Sequence, residues 1–160
     1  MSKIDGNALE GIDYSLFSLR ATMNDLKNVH IYTANSSFVV DSSISFDSEA
    51  ENISAINYFM GSLLSSIMLM SVKKAKKRDV IIEEIEGKIE FKLNNPLNAL
   101  DVRGYYENSY IDYIDIKIYY YADGDEESNN LLLTQLLDEN PIYNLIKKTT
   151  SLMVNFDLVI

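Results

Sequence analysis

Ser62, Ser65 and Ser66 sit about one helical turn apart inside a long apolar run, and they are the chain's first candidates for nucleophilic chemistry. Serine needs an adjacent base to attack anything. The only histidine in the sequence is His30, in an early alternating stretch with no recognisable acid partner, so the serines read as helix-packing residues and His30 as an ordinary strand residue. One histidine also rules out a multi-histidine metal site within one chain. The sequence has no cysteine, which removes disulfides, thiolate zinc sites, iron-sulfur clusters and thiol nucleophiles together. The carboxylates of Asp123-Gly124-Asp125-Glu126-Glu127 suggest a calcium loop but lack its remaining positions and its terminal glutamate. They read as a turn leading into a helix, and no metal or other cofactor is expected. Met60, Met68 and Met70 recur at helical spacing and read as core filler.

These residues depend on the segment from Ile53 to Arg78, in which about twenty uncharged residues run into five lysines and arginines. Ile56, Phe59, Met60, Leu63, Leu64, Ile67, Met68 and Met70 recur at helical spacing, while Gly61, Ser62, Ser65 and Ser66 gather on another side. A bilayer needs roughly 20 mostly apolar residues, so a membrane anchor over residues 53–72 is one reading. The other is the buried helix of a soluble protein, whose small residues admit a neighbouring backbone. Asn57 and the serines weaken insertion. The basic residues from Lys73 to Arg78 suit the solvated, dipole-complementing end of such a helix, with contact to a phosphate or an acidic partner as the alternative.

Around this helix the periods change. Phe17 to Met23 alternate as a first strand, and Val29 to Thr33 and Phe38 to Val40 give two more, followed by a polar connection from Asp41 to Asn52. Ile85 to Leu93 alternate apolar with Glu and Lys as a strand with one wet face, ended by Asn94-Asn95-Pro96-Leu97-Asn98. Ile111 to Tyr121 form a further strand with a phase change that allows a bulge. Asn130 to Glu139 read as a helix, and Asn140-Pro141 as the N-cap and first residue of another. Leu152 to Leu158 close the chain as a strand. The order predicts an α+β fold with a single domain over residues 1–160: N-terminal strands in 1–45, a central helix over 53–78, and strands and C-terminal helices in 80–160.

The totals bound function as well. The 160 residues carry a formal charge of -10, which argues against nucleic acid and anionic membranes as partners. The amino terminus has no apolar leader region, so a cytoplasmic location is expected. The glycosylation triplets at Asn35 and Asn52 then read as chance matches.

Three motifs in this order resemble the OsmC/Ohr family, the osmotically inducible and organic hydroperoxide resistance proteins. Phe59-Met60-Gly61-Ser62-Leu63-Leu64 is similar to the family's Ala-Leu-Gly-Ser-Cys-Leu at the start of its central helix. The strand from Val80 through Glu90, followed by Tyr113 to Ile118, matches the order that comes next. Asn140-Pro141-Ile142-Tyr143-Asn144 resembles the family's Cys-Pro-Val-Tyr. The likeness covers residues 50 to 160.

The resemblance implies an intertwined homodimer, with the long central helices of both chains packed together between antiparallel sheets. Burial of the eight large side chains of that helix, at about 1.5 to 3 kcal/mol each, would then supply much of the stability. It also implies a thiol peroxidase with one cysteine on the central helix and one before the last helix. Here those positions hold Leu63 and Asn140, so that activity is expected to be lost. A helix-leading glutamate of the family falls on Ser54, and Arg20 or Arg103 could stand near the site. With Tyr58 and Tyr143, these residues are the candidate lining of a cleft between the two chains that could take a small hydrophobic ligand. The alternative is a hydrolase-like, non-thiol enzyme in the same cleft, with serine or carboxylate chemistry and an arginine orienting an anionic substrate.

Overall fold

The computed structural model describes residues 16–23, 28–41, 52–100 and 102–159. Most of the polar connection expected between Asp41 and Asn52 lies outside them. The chain forms two compact units, residues 1–54 and 55–160.

The first unit holds a three-stranded antiparallel sheet of β1 (Arg20–Thr22), β2 (Asn28–Tyr32) and β3 (Ser37–Asp41) in that order. The β2–β3 turn is set by Thr33, whose hydroxyl accepts from the Ser36 amide at 2.9 Å. His30 lies within β2, opposite Thr22 and Val39. The first strand is shorter than its alternation predicts: pairing begins only at Arg20, and Phe17 is 92% exposed. Alternation marks two faces, but burial needs a second layer.

The second unit holds α1 (Ala55–Lys76), β4 (Ile82–Asn94), the short α2 (Pro96–Ala99), β5 (Tyr110–Ala122), α3 (Glu126–Leu137), α4 (Pro141–Ile146) and β6 (Ser151–Leu158). The sheet order is β4-β5-β6. β4 and β5 pair antiparallel and β5 and β6 parallel. A parallel pair needs a crossover, and α3 and α4 supply it. The phase change read near Ile111 is real: Phe91 pairs with Ile114 and Leu93 with Ile111, so β5 carries one extra residue there.

Alternation along these strands separates the two faces. Ile114, Ile116, Ile118 and Tyr120 of β5 are buried and form the core with Phe156 of β6 and Leu133, Leu136 and Leu137 of α3. The intervening Lys117 and the facing Lys88 and Glu90 are exposed on the other side. α1 packs against β4 and α3. Its approach to β4 is close at Gly87, where an added Cβ would lie 2.7 Å from Met68 Sδ and 2.8 Å from Leu64 Cδ1. A side chain there would have to displace the ends of the Met68 and Leu64 side chains, so glycine suits this close approach.

Two helices differ from their sequence reading. Asn95-Pro96 opens the short α2 where a plain strand end was expected. α3 starts at Glu126, not Asn130: Asp125 caps it by accepting from the Ser128 amide at 2.9 Å. The carboxylate run is therefore a helix start, and the capping bond holds the Asp125 carboxyl below the usual range.

Candidate functional site

α1 is two-sided within its own unit. Met60, Leu63, Ile67, Ser71 and Ala75 are buried along one stripe, while Phe59, Gly61, Ser62, Ser65 and Leu69 are exposed along another. Leu69 is 72% exposed and Phe59 44%. By length and composition this is also a helix able to cross a bilayer, although its buried stripe is already committed to the sheet and α3.

The α3–α4 corner crosses α1 near its middle, and the chemistry-bearing side chains meet there. Asn140 is 0% exposed. Its Oδ1 accepts from the amides of Ile142 at 2.9 Å and Tyr143 at 3.0 Å, satisfying the first free N–H groups of α4. Pro141, with no N–H to satisfy, follows at the first helical position. The Asn140 amide nitrogen donates to Ser66 Oγ at 2.9 Å, and Ser66 Oγ lies 3.2 Å from Asn140 Oδ1 as its own donor contact. The residue of α1 that meets Asn140 through these bonds is thus Ser66, one turn beyond Leu63. Leu63 itself is fully buried in the core.

An outer set of ion pairs holds the same corner. Glu139 takes Lys74 at 2.6 Å and Arg78 at 2.7 Å, which ties two of the five basic residues at the end of α1 to the corner. Asp138 takes Lys147 at 2.6 Å, and the Lys147 ammonium lies 5.0 Å from the centre of the Tyr143 ring. The hydrogen bond from Lys74 holds the Glu139 carboxyl below its ordinary range. A carboxyl lowered by folding contributes stability above its ordinary pKa and loses it as pH falls through the lowered one. In urea titrations repeated at decreasing acid pH, Glu139→Gln is therefore expected to flatten the wild-type decline in stability. An unchanged slope would show that the pair contributes nothing.

The other candidates make contacts of their own. Tyr58 is half-buried in the first turns of α1, and its carbonyl accepts from Ser62 Oγ at 2.8 Å. Ser65 Oγ likewise donates to the Ser62 carbonyl at 3.2 Å. Arg103 is exposed on the turn after α2. Arg20 and Ser54 belong to the first unit, where the Arg20 guanidinium lies 4.6 Å from the centre of the Tyr32 ring and Ser54 is bridged to Asp41. The structure thus brings together Asn140, Tyr143 and a serine that the motif order did not single out as their partner. The missed signal is geometric: Ser66 lies on the turn that α4 crosses.

The contacts limit the chemistry. The hydroxyls of Ser62, Ser65 and Ser66 donate to two backbone carbonyls and to a neutral amide oxygen, none of which is a base. Among the described residues no group of three His, Cys, Asp or Glu is arranged to hold a metal ion.

No protein-family model matches this sequence. No curated protein matches it either. Solved structures do. An OsmC-like protein from Mycoplasma pneumoniae superposes with a TM-score of 0.74 at 13% identity, covering 91% of this chain and 99% of that one. An OsmC-like protein of unknown function from Vibrio cholerae gives 0.70 at 13%, covering 90% and 100%. The organic hydroperoxide resistance protein OhrB of Bacillus subtilis gives 0.60 at 12%, covering 89% and 98%. Identities this low carry architecture alone, and on architecture the match extends over nearly the whole length of each protein: the chain has the α+β fold of the OsmC-like and Ohr proteins.

Proposed function

We propose that this chain is a member of the OsmC/Ohr family that has lost thiol-dependent hydroperoxide reduction and serves a non-catalytic role as a cytoplasmic homodimer. The observation that carries the reading is the absence of any cysteine on this fold. Peroxide reduction by the family's route needs a thiolate to attack the peroxide and a second thiol to resolve the sulfenic acid. In this chain the corner between the central and last helices is filled by a neutral hydrogen-bonded pair, Ser66 and Asn140.

The exposed stripe of α1 supports the second copy. Gly61, Ser62 and Ser65 let two helix backbones come close, and Phe59 and Leu69 gain burial only if something covers them. A second copy of the same stripe is self-complementary across a two-fold axis. Any ligand of such a dimer would enter between the chains. It would meet Tyr58 and Tyr143 rather than Leu63 or Asn140, which lie inside one protomer. An apolar molecule suits that lining.

Steady-state consumption of cumene hydroperoxide with dithiothreitol as reductant tests the loss of activity. The expected rate equals that of the protein-free reaction, and rapid turnover by protein free of contaminating peroxidase would overturn the reading.

A further inference from the structure

We draw no further inference here: the strongest candidate, the concavity of about 830 Å³ at the β4–β5 edge lined by Glu83, Glu84, Glu86, Tyr119 and Tyr121, is an acidic cluster for which nothing in the structure points to an occupant.

Discussion

Replacing Leu69 by lysine is expected to turn a two-chain particle into single chains or weakly associating ones. Leu69 is exposed within the protomer, so the change removes little internal packing and the protomer should still fold. In the proposed dimer the same position is covered, and each copy would bury an ammonium with no carboxylate supplied to meet it. An unpaired buried charge costs several kcal/mol, and every 1.4 kcal/mol is tenfold in affinity, so association should weaken by at least about a hundredfold. Ser65→Glu, four residues earlier on the same stripe, should act in the same direction. Light scattering after size exclusion reads the result. A wild-type chain that runs as a single copy at micromolar concentration would refute the dimer, and a Leu69→Lys variant that keeps the two-chain mass would move the interface elsewhere.

The second large effect is expected at Asn140. Asn140→Ala leaves the Ile142 and Tyr143 amides without their acceptor and strips Ser66 of its partner. Losing an N-cap costs about 0.5–2 kcal/mol, and each buried group left unsatisfied adds about 1–3 kcal/mol. A loss of about 2–4 kcal/mol in unfolding free energy follows, read from the midpoint of urea denaturation. Ser66→Ala keeps the cap but leaves the buried Asn140 amide nitrogen without its acceptor, and should cost about 1–2 kcal/mol. Asn140→Ser, which can cap α4 but is too short to reach α1 in the same way, should fall between the two. If Asn140→Ala and Ser66→Ala cost the same, the contact with α1 rather than the cap dominates, and the assignment of roles is wrong.

Much of this arrangement is legible in the sequence because local chemistry decides it. The alternation of Ile85 to Leu93 becomes β4 with one wet face, and the apolar run ending in lysines becomes α1. Asn140-Pro141 caps a helix as its residue types require, and the opposed phase of Ile111 and Ile114 becomes a bulge. The same Asn-Pro signal at Asn95-Pro96 also opens a helix, one short enough to be taken for a strand end.

What the sequence leaves open is set by tertiary geometry. The resemblance leads to the expectation that Leu63 and Asn140 stand at the family's two cysteine positions; the hydroxyl that meets Asn140 is that of Ser66, because the crossing of the α3–α4 corner over α1 selects the turn. The stretch from Phe17 alternates, yet only Arg20–Thr22 pairs and the large side chains before it are exposed. Whether α1 meets a bilayer, a second copy or only its own sheet is equally invisible in its composition. The structure shows its contact with the protomer's own core, made by the stripe of Met60, Leu63 and Ile67.

In the proposed non-catalytic account the junction of α1 with α4 is a structural latch, held by the contacts of Asn140 with Ser66 and with the first amides of α4. Amide hydrogen exchange at Ile142 and Tyr143, followed by NMR under native conditions, tests whether that latch is closed in solution, because both amides donate to the buried Asn140 side chain. First-turn amides of a helix ordinarily lack intrahelical acceptors and exchange readily. Here the expected result is slow exchange at both, close to that of the core amides of β5 and lost together in Asn140→Ala. Exchange at the rate of an open first turn in the wild-type protein would mean that the corner is unlatched in solution, and the structural role assigned to Asn140 would fail.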